Sequence, residues 1–379
     1  MSNFIEKYIK TLDNLTMMSK QAGSRSDYVQ GGGGNTSCKL DNKLMAIKAS
    51  GFRLDQIVPD NGYAVLDYAK IRDFYLNTNP EKLDDVEKSG SEKAQESIQV
   101  IDGLPVLRPS VEAGFHSVLD TYVLHTHAVY ANLLTCSIEG KEIIAKVMKQ
   151  LGEIYAIVPY INPGAQLTFA IASEREKVFI NSGKKPPVIF MENHGLIVTG
   201  ETPEYCLELH DKINKAIAEE FGITFSEWPS FQFKEKKLGD TMYYFSQTEK
   251  LISRLKQQDW DKDFFTAQPL YPDQLVFLNG QIDVNEAKNP AEFLQNSKPE
   301  KKVTIFRKTG EILYQSLPGE SSISPEIRTI EETLYCVLFI ADCIREKGLT
   351  LQTMNEAGKD FIQNWESEKY RKSIAQKTN

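Results

Sequence analysis

TYVLHTHAVYANLLTCS, residues 121–137, is the stretch whose reading decides the fold. Val123-Leu124 ahead of His125 reads as a buried strand, and the residues behind His127 as a helix entered at once. Side chains alternate along a strand, so His125 and His127 point to the same face. Two imidazoles on one face can share an ion. Taken alone, the pair reads first as two half-buried histidines that meet by accident. His194 shifts that balance. It lies in KPPVIFMENHGLIVTG, residues 185–200, which reads as two short strands about a tight turn, with Gly195 permitting a close backbone. Three histidines leave a fourth coordination position open, which is the pattern of a catalytic rather than a structural metal site. The five cysteines are scattered and offer no rival ligand set.

Outward from this stretch, MSNFIEKYIKTLDNL at the start reads as an amphipathic helix with Phe4, Ile5, Tyr8, Ile9 and Leu12 on one face. QGGGGNTSCKL (30–40) and LMAIKASG (44–51) read as two strands with a loop at their mouth, and YAVLDYAKIRDFY (63–75) as a helix. Residues 77–98 are charged and poor in apolar residues, which suggests a surface insertion. EAGFHSVL (112–119) is a helix candidate. TPEYCLELHDKINKAIAEEFG (202–222) is a long helix with Thr202 as N-cap, Pro203 at its first position and Gly222 at its end. Beyond Trp228-Pro229, residues 237–258 read as helical and QLVFLNG (274–280) as a strand. KVTIFRKTGEILYQS (302–316) reads as a hairpin, and 325–347 and 354–367 as helices. Mixed elements in both halves give α/β or α+β architecture, with a domain boundary at 225–240, drawn here at 230/231.

Composition narrows the function class. A net charge of −8 over 379 residues disfavours nucleic acid and anionic membrane surfaces as partners. An odd number of cysteines without CxxC spacing points to a reducing compartment. The first residues carry acids and no sustained apolar run, unlike a signal peptide. No stretch approaches the roughly 20 apolar residues of a membrane span. The expectation is a cytoplasmic protein.

Other residues carry chemistry more weakly. Glu112 could take a proton alpha to a carbonyl polarised by an ion. From position alone it reads first as an acid favoured at a helix start, with Ser110 as N-cap. His116, four residues on, shares its helix face. It is either a partner standing behind the site or a satisfied structural histidine. His210 on the long helix reads as structural. The glycine-rich GGGGNTS (31–37) lets backbone N–H groups approach an anion, with Asn35, Thr36 and Ser37 adding donors. It lacks the lysine of a P-loop. Ala49-Ser50-Gly51 offers a second such turn, and Lys48 beside it reads as solvated.

GGGGNTS, KASG, PSVEAGFH with LHTHA, and ENHG, in that order, make the first 225 or so residues resemble the class II aldolase/adducin superfamily. The details are most similar to the aldolase part of bacterial two-part proteins of the rhamnulose-1-phosphate aldolase/dehydrogenase type, with no dehydrogenase in these 379 residues. The resemblance implies a three-layer α/β/α sandwich with a central, mostly antiparallel sheet, followed by a smaller α+β C-terminal domain. It implies Zn2+, or Mn2+ or Co2+, on His125, His127 and His194, with Glu112 as acid/base. It implies phosphate binding by Gly34, Asn35, Thr36, Ser50, Gly51 and Ser110, and a homo-oligomer acting on a small sugar or sugar phosphate. The implied reaction is reversible cleavage of a ketose 1-phosphate to dihydroxyacetone phosphate and a small aldehyde. The same scaffold hosts pentulose-phosphate epimerases and dehydratases, and adducin-like members are non-catalytic scaffolds. Many phosphate-using members carry two serines before the glutamate, whereas this chain has Ser110-Val111.

Overall fold

The computed structural model describes residues 3–225, 227–239, 241–257, 260, 262–287, 289–316 and 322–364. The chain divides into two compact units, Met1–Phe225 and Ser226–Asn379.

The first unit runs α1 (Asn3–Gly23), β1 (Asn35–Lys39), β2 (Leu44–Lys48), β3 (Tyr63–Asp67), α2 (Tyr68–Asn77), α3 (Val86–Glu96), α4 (Ala113–Val118), β4 (Tyr122–Thr126), α5 (Val129–Thr135), α6 (Gly140–Leu151), β5 (Tyr155–Val158), α7 (Ala165–Ser182), β6 (Val188–Met191), β7 (Gly195–Gly200) and α8 (Pro203–Phe221). Seven strands form one sheet in the order β3-β2-β1-β4-β7-β6-β5. Every pairing is antiparallel except β5 with β6. One face packs through Val123, Ala156, Ile189 and Ile197 against Phe115 of α4 and Leu167 and Ile171 of α7. Each buried valine, leucine, isoleucine or phenylalanine among these contributes about 1.5–3 kcal/mol. The other face meets α1, through Ser19 and Thr36, and α8, through His210 and Thr126. The result is the expected three-layer α/β/α sandwich.

Two readings of this unit change. YAVLDYAKIRDFY is strand then helix. Tyr63–Asp67 is buried throughout as β3, and the Asp67 side chain accepts from Lys70 N to cap α2. Residues 77–98, read as a surface insertion, also hold a helix that was not anticipated, α3. Its Glu87 carboxylate accepts from the backbone N–H groups of Ala165 and Gln166, 2.8 and 3.0 Å away. It caps α7, whose own N-cap, Gly164, has no side chain to do so.

The second unit runs β8 (Phe233–Leu238), β9 (Thr241–Ser246), α9 (Glu249–Gln257), α10 (Lys262–Thr266), α11 (Pro272–Leu278), β10 (Ile282–Asn285), α12 (Pro290–Asn296), β11 (Val303–Phe306), β12 (Ile312–Gln315), α13 (Pro325–Glu346) and α14 (Glu356–Asn364). Its five-stranded sheet has the order β10-β11-β12-β9-β8. The 302–316 hairpin and the helix from 325 are present, and residues 365–367 of the last expected helix lie outside the described residues. Of residues 237–258, expected to be helical, Glu249–Gln257 is helix α9, whereas the residues up to Ser246 belong to the β8–β9 hairpin, with Gly239 at φ +60°. QLVFLNG, expected to be a strand, is helix α11, started by Pro272 at its first turn. Among the described residues no helix is long and apolar enough to cross a membrane.

Candidate metal centre

The centre forms where β4 leaves the sheet. β1 and β7 flank β4, pairing Asn35 and Ile197 with His125. The approach is close on the β1 side. Gly34 has φ +60°, and a Cβ there would lie 2.7 Å from the His125 carbonyl oxygen, so only glycine fits without strain. His194 sits in the β6–β7 turn. Asn193 before it has φ 49°, the one positive value outside glycine among the described residues. Its N–H is held by the Thr135 carbonyl at 2.8 Å.

These turns bring one ring nitrogen each from His125, His127 and His194 to within 4.8 Å of one another, all three residues buried. The ring centroids lie 5.0, 5.0 and 5.2 Å apart. His125 Nδ1 donates to the Leu196 carbonyl at 3.1 Å, which turns Nε2 inward, 3.2 Å from His127 Nε2. A backbone acceptor behind an imidazole fixes its tautomer as a ligand requires. Burial lowers the His125 pKa to about 3, so it is neutral and its inward nitrogen is free to coordinate. Glu112, the N-cap of α4, completes the group. Its Oε1 lies 3.3 Å from His194 Nε2 and its Oε2 3.7 Å from His125 Nε2. Burial pushes the Glu112 carboxyl up, but His125, His194 and His127 outweigh it and hold it well below the usual carboxylate range. Glu112 Oε1 and His194 Nδ1 are buried without a hydrogen-bond partner. Three convergent imidazoles with an orphaned carboxylate oxygen suit a divalent cation of the zinc type.

The sequence profile of the class II aldolase and adducin N-terminal domain matches residues 14–219, more than half of the chain. The chain belongs to the class II aldolase and adducin family. A curated relative, the uncharacterized oxidoreductase YuxG of Bacillus subtilis (strain 168), is 27% identical over 215 residues, 52% of this chain. The chain spans only 28% of that relative's length. Among solved structures, the N-terminal class II aldolase domain of a conserved protein from Thermoplasma acidophilum is 24% identical. The match covers 55% of this chain and 92% of that one, with a TM-score of 0.45. A sugar-phosphate aldolase from Thermotoga maritima is 13% identical, with 57% and 97% coverage and a TM-score of 0.39.

The residues that the aldolase resemblance assigns to phosphate divide into two groups. Ser50 and Ser110 are neighbours, because the end of β2 pairs with the segment before α4. Ser50 N donates to the Arg108 carbonyl and Ser110 N to the Lys48 carbonyl, at 2.8 and 3.2 Å. Gly51, at φ +89°, turns the chain beside them. Thr36 does not join this group. Strand alternation points its hydroxyl to the opposite face, 2.7 Å from Ser19. Asn35 faces the centre, but its amide is engaged with Glu112, Ser110 and His116. Lys48 corrects the expectation of a solvated lysine. It is 3% exposed, and its ammonium donates to the Gly32 carbonyl at 3.2 Å, within the glycine loop. The sequence signal was its place on β2 directly before the Ser50 turn. His210 is structural as expected, 2.7 Å from Thr126 on the far face and held by Asn214.

Proposed function

We propose that the first unit is a divalent-metal-dependent aldolase that reversibly cleaves a ketose 1-phosphate-type sugar into dihydroxyacetone phosphate and a small aldehyde. The observation that carries this is the convergence of His125, His127 and His194 within 4.8 Å, with the Glu112 carboxylate against them. His125, His127 and His194 hold the ion, which is Zn2+, or Mn2+ or Co2+ in its place. When bound, it supplies Lewis-acid stabilisation of the charge that develops on the substrate's keto oxygen. In the cleavage direction the C3–C4 bond breaks and its electron pair passes toward that oxygen. The aldehyde departs, the C4 hydroxyl proton goes to a base outside these four residues, and Glu112 delivers a proton to C3. In the reverse direction Glu112 removes it. Lys48, the 31–34 loop, Ser50 and Ser110 receive the anionic end. The buried Lys48 charge offsets the hydroxyl that Val111 lacks. Retention of all three histidines and the glutamate argues against an adducin-like scaffold. The protein acts in the cytoplasm as a homo-oligomer, without a nucleic-acid or membrane partner.

The test is product analysis with phosphorylated and free ketoses in the presence of zinc, manganese or cobalt. The expected products are dihydroxyacetone phosphate and aldehyde, and their formation is lost in Glu112→Ala. Epimerised or dehydrated products would reassign the reaction on the same site. A protein that refuses zinc would point to a scaffold.

A further inference from the structure

Asn35 and Ser37 lie two residues apart on β1 and face the same side of the sheet. Glu112 and His116 lie four apart at the N-cap and within α4, and share a side of the helix. The two pairs interlock. Ser37 Oγ is 2.7 Å from His116 Nδ1, and His116 Nε2 meets Asn35 Oδ1. Asn35 Nδ2 donates to Glu112 Oε2 and, at 3.2 Å, to Ser110 Oγ. None of these five side chains is more than 9% exposed. Lys39, two residues further along the same face of β1, donates to the carbonyls of His116 and, at 2.9 Å, Asp120. One face of one strand therefore moors α4 at both ends.

The direction of the chain follows from which atoms can donate. A carboxylate only accepts, so the Asn35 amide presents nitrogen to Glu112 and oxygen to His116. His116 then carries its proton on Nε2, and its Nδ1 accepts from the Ser37 hydroxyl. Both N–H groups and the oxygen of the Asn35 amide are used, so it has no donor left for a ligand. We infer that Asn35, locked by His116 and Ser37, is a positioning residue for the Glu112 carboxylate and not a holder of the substrate's anionic end. It pins Oε2 and leaves Oε1, which has no hydrogen-bond partner, as the oxygen turned to the histidines. This rests on the acid/base role proposed above for Glu112.

The test pairs His116→Leu, which removes the donor to Asn35, with His116→Gln, which restores an N–H near the Nε2 position. In zinc-loaded protein, His116→Leu lowers kcat about 10–100-fold while KM and zinc affinity stay within about twofold, and His116→Gln recovers most of kcat. Nitrogen-15 spectra of labelled histidines in metal-free wild type show His116 neutral with its proton on Nε2. A raised KM at unchanged kcat would return Asn35 to the substrate's anionic end and overturn the inference. So would an unchanged kcat in His116→Leu, or a proton on Nδ1. Absence of turnover in the wild type would sink the proposed reaction instead, and the tautomer would still decide the hydrogen-bond chain.

Discussion

Two buried glutamates, one in each unit, are driven in opposite directions. Glu331 on α13 is fully buried, and burial raises its pKa to about 7 against the hydrogen bonds donated by Thr248 and Ser246. Glu112 is almost as buried, yet three imidazoles overcome its desolvation and keep it charged. Loss of water alone makes a carboxyl neutral and places it in the core with hydroxyl partners. A carboxylate kept charged beside convergent metal-type donors is arranged for chemistry. The first unit carries the second kind of burial and the described residues of the second unit carry the first.

The largest way to break this contrast is to remove a ligand. His125→Ala is expected to abolish zinc binding and turnover, and with them the zinc-dependent rise in the melting temperature of the first unit. Metal content by mass spectrometry, alongside thermal melts with and without zinc, measures this. Next is the carboxylate itself. Glu112→Gln keeps the shape and removes the base, so zinc is retained while kcat falls about 10²–10⁴-fold.

Glu331 should behave in the contrary way, through stability rather than activity. Its folded pKa is raised, so its contribution to stability is fully present below pH 4.5 and is lost as pH rises through about 7. From pH 4.5 to 8 the loss is on the order of 3 kcal/mol. Glu331→Gln, neutral throughout, is expected to flatten that slope. Trp228, Trp260 and Trp365 all fall in the second unit, so tryptophan fluorescence during urea unfolding reports it alone. The smallest effect concerns packing around the first unit. Glu87→Ala strips the borrowed cap from α7 and costs about 1 kcal/mol, read as a lower urea midpoint by circular dichroism with unchanged zinc affinity.

How far the sequence could be read follows the same division. The HxH pair, the strand–turn–strand around His194 and the capped helix from 202 to 222 declare themselves by local period and turn residues, and each stands where expected. The failures are elements whose state depends on partners distant in sequence. The five residues of β3 are a strand because they pair with β2, and their apolar content fits either state. Four consecutive apolar residues in QLVFLNG, 275–278, mimic a strand, whereas Tyr271-Pro272 ahead of them marks a helix start. The cap that Glu87 gives α7 spans 78 residues and leaves no local mark. Among site residues, Glu112 owed its assignment to the family pattern around it. Lys48 was misjudged because burial beside the glycine loop is a property of the folded sheet. Asn35 likewise owed its phosphate assignment to the family pattern, since a strand position says which face a side chain takes, not which partner it meets there.

The most direct test of the account is proton exchange without cleavage. Dihydroxyacetone phosphate is incubated with zinc-loaded protein in D2O and followed by proton NMR. The account predicts that one hydrogen on the hydroxymethyl carbon is replaced by deuterium, that removing zinc stops the exchange, and that Glu112→Gln stops it while zinc stays bound. Exchange that survives in Glu112→Gln, or that never occurs in zinc-loaded wild type, would contradict the assignment of these four residues to metal-assisted proton transfer.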